Sequence, residues 1–333
     1  MGSPVAGNFG FSNCLLAWYD AEHRTLPWRE STDLYPVWLS EIMLQQTRVE
    51  AVIPYFHRFL DRFPDLHALA AAAESDVLAA WSGLGYYSRA RSLHRAAREV
   101  AATRSPETVE ELRALPGIGE YTAAAIGSIV LHLPVAAVDG NVLRVVSRVT
   151  NDGAEISLPA TRKRFLSTAQ QWLDTRRPGD FNQAMMELGA TLCTPRNPQC
   201  GRCPVTSSCA ARAAGTEREL PVKAGKAAVR EVPLHVLILL RRGKLFLVRR
   251  DVSEKRLAGF WELPEKDELA ALHTEPAGSF THQIVNDRFR VTVWKGQPPG
   301  GRLPGGRWFS RSELTETPVT TVTRKALHAH ARI

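Results

Sequence analysis

Four cysteines fall within 17 residues, at Cys193, Cys200, Cys203 and Cys209, in the spacing C-x6-C-x2-C-x5-C. Gaps this short force the sulfurs together, and converging thiols in so long a chain point to metal rather than to a disulfide framework. Zinc accepts four thiolates, but its structural sites usually pair two close C-x-x-C knuckles. Here a single C-x2-C is flanked by wider gaps, which leaves room for the larger cube of a [4Fe–4S] cluster. On spacing alone both metals stay open, the cluster favoured. Cys14 stands apart and reads as a small apolar core residue.

Two further strings carry chemistry. Leu115-Pro116-Gly117-Ile118-Gly119-Glu120-Tyr121 joins two helical stretches. Glycines on either side of one apolar residue allow a tight turn that presents backbone N–H groups at the start of the second helix, a ready site for a phosphate. Twenty residues on, Val138-Asp139-Gly140-Asn141 enters another helix, where Asp139 is by default an N-cap. Glu41 lies in Trp38-Leu39-Ser40-Glu41-Ile42-Met43-Leu44-Gln45-Gln46-Thr47, among large apolar side chains. Such surroundings desolvate a carboxyl, raise its pKa and keep it a proton donor near neutrality.

With these strings and the cysteine loop in one chain, the sequence resembles the helix-hairpin-helix DNA glycosylases that carry an iron–sulfur cluster. The Glu41 string, together with Pro27-Trp28-Arg29, Gly83-Leu84-Gly85-Tyr86-Tyr87 and Phe181-Asn182-Gln183-Ala184, is similar to MutY-type adenine glycosylases from about Trp18 to Cys209. That resemblance implies a [4Fe–4S] cluster on the four cysteines. It implies that Gly117 and Gly119 bind the DNA backbone, and that Glu41 protonates the adenine leaving group. Asp139 then stabilises or traps the sugar cation, with Tyr121 and Asn141 orienting the two carboxyls. Gln46 and Tyr86 wedge into the base stack, and Arg29 and Thr47 contact DNA. In endonuclease III-like members a lysine two residues past the second hairpin glycine forms a Schiff base with the sugar. Tyr121 stands there in this chain, and a phenol cannot form an imine.

Further on, Leu257-Ala258-Gly259-Phe260-Trp261-Glu262-Leu263-Pro264 resembles the signature of Nudix-like domains, but Glu265-Lys266-Asp267-Glu268-Leu269 lacks the glutamate pattern that would bind magnesium. The resemblance therefore implies a recognition module that reads the base opposite the adenine. In the family a Phe-Ser-His tip does this, and Phe280-Thr281-His282 corresponds to it, threonine keeping the hydroxyl but adding a methyl group. The implied partner is duplex DNA bearing adenine opposite 8-oxoguanine or guanine. A bifunctional pyrimidine-lesion glycosylase with lyase activity and an inactive damage-binding protein are the alternatives. Tyr121 and Glu41 speak against the first, and the presence of both Glu41 and Asp139 against the second.

These residues need a scaffold. From Phe11 to about Ala211 apolar residues recur at three and four, and the periodicity predicts helices over Val37–Val52, Ala68–Ala80, Ala90–Thr103, Tyr121–Leu131, Thr161–Leu173 and Asp180–Leu192, the last capped by Asp180. Glu217 to Pro233 lacks periodicity. Beyond it His235–Leu240 and Lys244–Val248 read as strands around an Arg241-Arg242-Gly243 turn, Arg288–Trp294 and Gly306–Phe309 as further strands, and Val319–Ala331 as a closing helix. The expected architecture is multidomain, α and α+β. An all-helical catalytic body spans residues 8–215, a linker 216–231, and a smaller Nudix-like α/β domain 232–333.

The 333 residues carry a net charge of +8, unevenly. Up to Val222 there are 22 basic and 23 acidic residues, and beyond it 20 and 11. The basic excess fits a polyanionic partner and lies in the last third. The first part is therefore expected to grip DNA through its hairpin and through Arg89, Arg91, Arg144 and Arg148. No apolar run of 18 residues occurs, and Met1 to Gly10 does not read as a secretion signal. The expectation is a monomeric cytoplasmic protein of the bacterial nucleoid, off the membrane.

Overall fold

The computed structural model describes residues 8–225, 229–251, 259–269, 272–284, 286–299, 301, 303 and 305–330. The chain divides into two compact units, Met1–Ala70 with Arg95–Gly225, and Ala71–His94 with Lys226–Ile333. Among the described residues no helix is long and apolar enough to cross a membrane.

The first unit is helical. Its largest core gathers Phe11, Leu15 and Leu16 of the Asn8–Glu22 helix with Val142, Val145 and Val146 of Gly140–Thr150, Phe165 and Trp172 of Pro159–Trp172, and Phe181, Met185 and Leu188 of Pro178–Thr191. Each contributes residues three, four or seven apart, the spacings that line one face of a helix. The long helix expected over Val37–Val52 is two, Leu34–Leu44 and Val49–Arg62. Gln46 between them takes φ +58°, which breaks the run of helical hydrogen bonds and turns the chain. Ala68–Ala80 likewise divides into Leu66–Ala71 and Glu74–Ala80. Asp180 is not a cap: Pro178 opens its helix, and Asp180 accepts from Arg177 Nε at 2.8 Å. Proline at the first helical position has no N–H to leave unsatisfied, so it starts the helix earlier than an aspartate would.

The second unit holds a six-stranded mixed sheet: β1 (Arg230–Arg241), β2 (Lys244–Arg249), β3 (Trp261–Glu262), β4 (Thr274–Ile284), β5 (Asp287–Gly296) and β6 (Gly306–Phe309). Arg242 and Gly243 both take positive φ, +49° and +72°, the two-residue turn that matches strand twist in a hairpin. β1 pairs parallel with β5 from Arg230 opposite Asp287 to Leu239 opposite Gly296, and β4 runs antiparallel beyond β5. Because β1 is central, its alternate residues feed two cores. Val236 and Ile238 join one, with Val319 and Ala326, and Leu237 and Leu239 join the other, with Phe246. The closing helix is Thr321–His330; Ala331 lies outside the described residues, as do Leu257 and Ala258 of the Nudix-like string. Within this unit Phe260 is fully buried, its ring centroid 4.1 Å from that of Tyr87, and Arg324 hydrogen-bonds the Ser82 hydroxyl. These contacts tie Ala71–His94 to the sheet. Phe280, Thr281 and His282 are not a tip. They lie mid-strand in β4, opposite Val291, Arg290 and Phe289.

Candidate active site

Glu41 sits on the Leu34–Leu44 helix, in which Tyr35 and every residue from Val37 to Met43 are buried. A helix apolar nearly all round lies inside the fold, and it carries its one glutamate with it. Glu41 is 8% exposed. Burial pushes its carboxyl up to about 7; the charge of Asp139 acts in the same direction, while the Tyr121 hydroxyl, hydrogen-bonded to it, and the Arg29 guanidinium pull it down. Tyr121 itself is raised well above its ordinary value by burial and the two carboxyls, so it stays a phenol and can donate. Its hydroxyl also lies 3.0 Å from Met186 Sδ.

Asp139 does cap the Gly140–Thr150 helix, its Oδ1 accepting from the Val142 N–H at 2.7 Å and its Oδ2 from Asn141 Nδ2 at 2.7 Å. The partner of a raised acid is expected to keep a low pKa, and the structure corrects this. Burial raises the carboxyl above its ordinary value, with the Val142 and Asn141 donors and Arg144 only opposing the rise. The two carboxyls differ in their partners. Asp139 accepts three N–H hydrogen bonds, which stabilise an anion, whereas Glu41 has the Tyr121 hydroxyl.

Both carboxyls line a cavity of about 560 Å³ with Tyr121, Asn141, Arg29, Gln46 and Thr47. Seven of the residues singled out in the sequence thus share one space large enough for a small ligand. Others there were given no role. Glu187 accepts from Arg24 Nε at 2.7 Å and Arg29 Nη2 at 3.0 Å, and Met186 and Gln183 line the same wall. Asn182 is buried and ties down the approach to Asp139: its Oδ1 accepts from the Ala137 N–H at 3.0 Å and its Nδ2 donates to the Val135 carbonyl at 2.8 Å. A Cβ at Gly189 would lie 2.6 Å from Asn141 Cβ, and one at Gly179 would lie 2.8 Å from Ile129 Cα. Both glycines let the Pro178–Thr191 helix press against its neighbours. Partners more than 40 residues apart leave no local pattern. Periodicity predicted the helix, but only the Phe181–Ala184 string hinted that it belongs to the site.

Gly117 and Gly119 sit in the turn between the Val109–Ala114 and Glu120–Ile129 helices. Gly117 takes φ +82°, a conformation that glycine adopts without strain, and Gly119 is the N-cap residue of the second helix. Neither lines the cavity. Tyr86 belongs to the second unit, 48% exposed with φ +50°, and Arg89 lies over its ring at 5.1 Å. Phe280, Thr281 and His282 are in that unit too.

The arginines expected to grip DNA are engaged elsewhere. Arg144 is buried and donates to the carbonyls of Cys193 at 2.7 Å and Gly189 at 2.6 Å, and to Asn141 Oδ1 at 3.0 Å. Arg148, 1% exposed, donates to the carbonyls of Cys193, Thr194, Pro195 and Leu220 and to Cys193 Sγ at 3.3 Å. Arg91 pairs with Glu74 at 3.0 Å.

The four cysteines line one recess with Arg148, Arg212 and Glu217, and none forms a disulfide. Among the described residues no three His, Cys, Asp or Glu side chains converge on a single ion. All four thiols line one recess, and their C-x6-C-x2-C-x5-C spacing fits a polynuclear cluster better than one tetrahedral zinc. The donor set agrees. Burial pushes the Cys203 thiol up to about 12, and the neighbouring cysteines add to it, so thiolates here need a positive core. Backbone N–H groups of Val205 and of Ala211 and Arg212 reach Cys203 and Cys209, hydrogen bonds of the kind that tune iron–sulfur sites.

Comparison with known proteins agrees with this geometry. Residues 39–171 match the model of the HhH-GPD superfamily base excision DNA repair proteins, and residues 193–209 the iron-sulfur binding domain of endonuclease III. The chain is 35% identical to the adenine DNA glycosylase of Rattus norvegicus, covering 98% of this chain and 79% of that protein. It is 38% identical to that of Mycolicibacterium smegmatis, over 83% and 94%. Among solved structures it is similar to a thermostable thymine-DNA glycosylase, with a TM-score of 0.57 at 26% identity, covering 62% of this chain and 97% of that one.

Proposed function

The chain belongs to the adenine DNA glycosylase family, and from that premise we propose that it removes adenine mispaired with 8-oxoguanine or guanine in duplex DNA, with Glu41 as the acid and Asp139 as the anion of the reaction. The observation that carries this reading is one cavity lined by two carboxyls with unlike partners. Adenine is a poor leaving group until N7 is protonated. Glu41, raised to about 7 by burial, holds a proton near neutrality and can deliver it. Departure of the base leaves positive charge on the sugar. Asp139, whose N–H donors favour its ionised form, can stabilise that cation or transiently bond to it. Glu41, now ionised, can then take a proton from the attacking water.

Tyr121 donates to Glu41 and fixes its orientation, and Asn141 does the same for Asp139. Without an amine at position 121 no imine forms with the sugar, so the reaction ends at an intact abasic strand. The adenine reaches the cavity by leaving the base stack, with Gln46 and Tyr86 filling the gap. Gly117 and Gly119 hold a backbone phosphate, and Arg29 and Thr47 contact the strand. Cys193, Cys200, Cys203 and Cys209 would hold a [4Fe–4S] cluster, which when bound would tie their loop together and could supply a one-electron couple. We read residues 232–333 as a Nudix-like module following a 216–231 linker and the 8–215 catalytic body. In this module Phe280, Thr281 and His282 read the base opposite the adenine. On this reading the protein works as a monomer on nucleoid DNA in the cytoplasm.

Single-turnover excision tests the proposal on duplexes pairing adenine with 8-oxoguanine, guanine or cytosine. The expected order of rates is 8-oxoguanine, then guanine, then cytosine. Equal rates on all three remove the assigned specificity, and a strand trapped by borohydride removes the hydrolytic mechanism.

A further inference from the structure

Glu187 has no part in the chemistry above, yet it lines the same cavity as Glu41 and is 1% exposed. Its Oε1 accepts from the Arg24 backbone N–H at 3.2 Å and from Arg24 Nε at 2.7 Å. Its Oε2 accepts from Arg24 Nη2 at 2.9 Å and Arg29 Nη2 at 3.0 Å. Arg29 completes the knot by donating Nη1 to the Arg24 carbonyl at 3.0 Å. One buried carboxylate therefore holds two guanidinium groups on the cavity wall.

Those two cations stand at a cavity whose acid must arrive protonated. Each unopposed guanidinium favours the ionised form of a nearby carboxyl, and Arg29 already acts on Glu41 in that sense. The other titratable groups facing Glu41 are Tyr121, from the Glu120–Ile129 helix, and Asp139, at the start of Gly140–Thr150. Neither supplies a compensating charge at the Arg24–Arg29 wall, and Glu50 of the Val49–Arg62 helix acts on Arg24 only as the weakest of its influences. Glu187 does, and its own carboxyl stays ionised. Burial pushes it up, but the two arginines outweigh burial and hold it below its ordinary value.

We propose that Glu187 is a positioning residue for base removal: it pins Arg24 and Arg29 to the cavity wall and cancels enough of their charge for Glu41 to keep the proton it delivers. This rests on the reading of Glu41 as the acid. A purely structural Glu187, joining the Arg24 segment to the Pro178–Thr191 helix, would affect stability and rate but would not move the pH at which the rate falls.

The test is the pH dependence of single-turnover excision on an adenine:8-oxoguanine duplex by the full chain, its E187Q and R29Q variants, and E41Q. An acid that must be protonated gives a rate that falls as pH rises through its pKa. Glu187→Gln leaves two guanidiniums under-compensated, so this alkaline limb moves to lower pH by about one unit. Arg29→Gln removes one cation and leaves Glu187 held by Arg24, so the limb moves to higher pH. Limbs that coincide with the wild type in both variants overturn the proposal. If E187Q does not fold, R29Q decides alone, and a limb that stays or moves down overturns it. If E41Q excises adenine at the wild-type rate, the assigned acid has failed, a result distinct from unshifted limbs with an essential Glu41.

Discussion

The helical unit and the sheet unit use arginine in opposite ways. Around the cavity and the cysteine loop, Arg24, Arg29, Arg144 and Arg148 are buried or half-buried and bonded to carboxylates, carbonyls and a thiol. In the sheet unit Arg242, Arg288, Arg290 and Arg307 lie at the surface, the last three paired there with the exposed carboxylates of Glu231 and Glu313. The first 222 residues have almost no net charge, yet among the described residues they hold heavily engaged cations such as Arg148. Net charge locates where a polyanion is attracted. What a guanidinium touches decides whether it can greet that polyanion at all.

The largest effect expected on either side of this contrast is at the acid. Glu41→Gln should lower the single-turnover excision rate about a thousandfold, the usual range for losing a general acid, while circular dichroism stays unchanged. A fall of less than tenfold would transfer the acid's role to another group. Next comes Arg148→Ala. It strands the carbonyls of Thr194, Pro195 and Leu220 and a sulfur in a buried site, which costs about 3 to 5 kcal/mol, so the melting temperature should drop sharply and the visible absorbance of the cluster should be lost with it. An Arg148→Ala protein that melts like the wild type would show that buried arginines are not the structural group inferred here.

A third prediction concerns pH and stability. Glu41 is raised in the folded state, so between about 4.5 and 7 the native protein binds more protons than the unfolded chain. Stability from this group is greatest below about 4.5 and declines as pH rises to 7, by roughly 3 kcal/mol at most. Replacing Glu41 with glutamine should remove that decline, so the variant's stability relative to wild type should grow across this window in denaturant titrations. A constant difference would mean the carboxyl is not desolvated. The smallest effect belongs to the surface. Arg242→Gln with Lys244→Gln should leave stability within about 0.5 kcal/mol but flatten the salt dependence of DNA binding by up to about one unit of slope per lost phosphate contact. An unchanged slope would take these two cations out of the interface.

Much of the site could be read from the sequence because its signals are local. Cysteine spacing, the Gly117–Gly119 turn and the cap at Asp139 each depend on a few consecutive residues. The apolar company of Glu41 foretold its burial for the same reason. What escaped the sequence depends on partners far along the chain. Glu187 meets Arg24 across 163 residues, and Asn182 meets Ala137 across 45. Arg144 and Arg148 looked like surface cations until the loop they bind was in place. The break at Gln46 was hidden because the apolar period runs on through it. β4 was hidden because no residue of Thr274–Ile284 is fully buried and only Ala277 and Phe280 pack against the core, too few apolar residues to show the alternation by which a strand is recognised.

The two tight glycines of the Pro178–Thr191 helix have a consequence in genetics. Every missense change at a glycine codon adds at least one carbon, and at Gly179 and Gly189 that carbon meets neighbouring main chain at 2.8 and 3.0 Å. Neither codon has a harmless amino-acid neighbour. In a saturation screen that scores spontaneous mutation rate, these positions should collect loss-of-function alleles as densely as the catalytic codons themselves, although neither glycine has a side chain to offer the reaction.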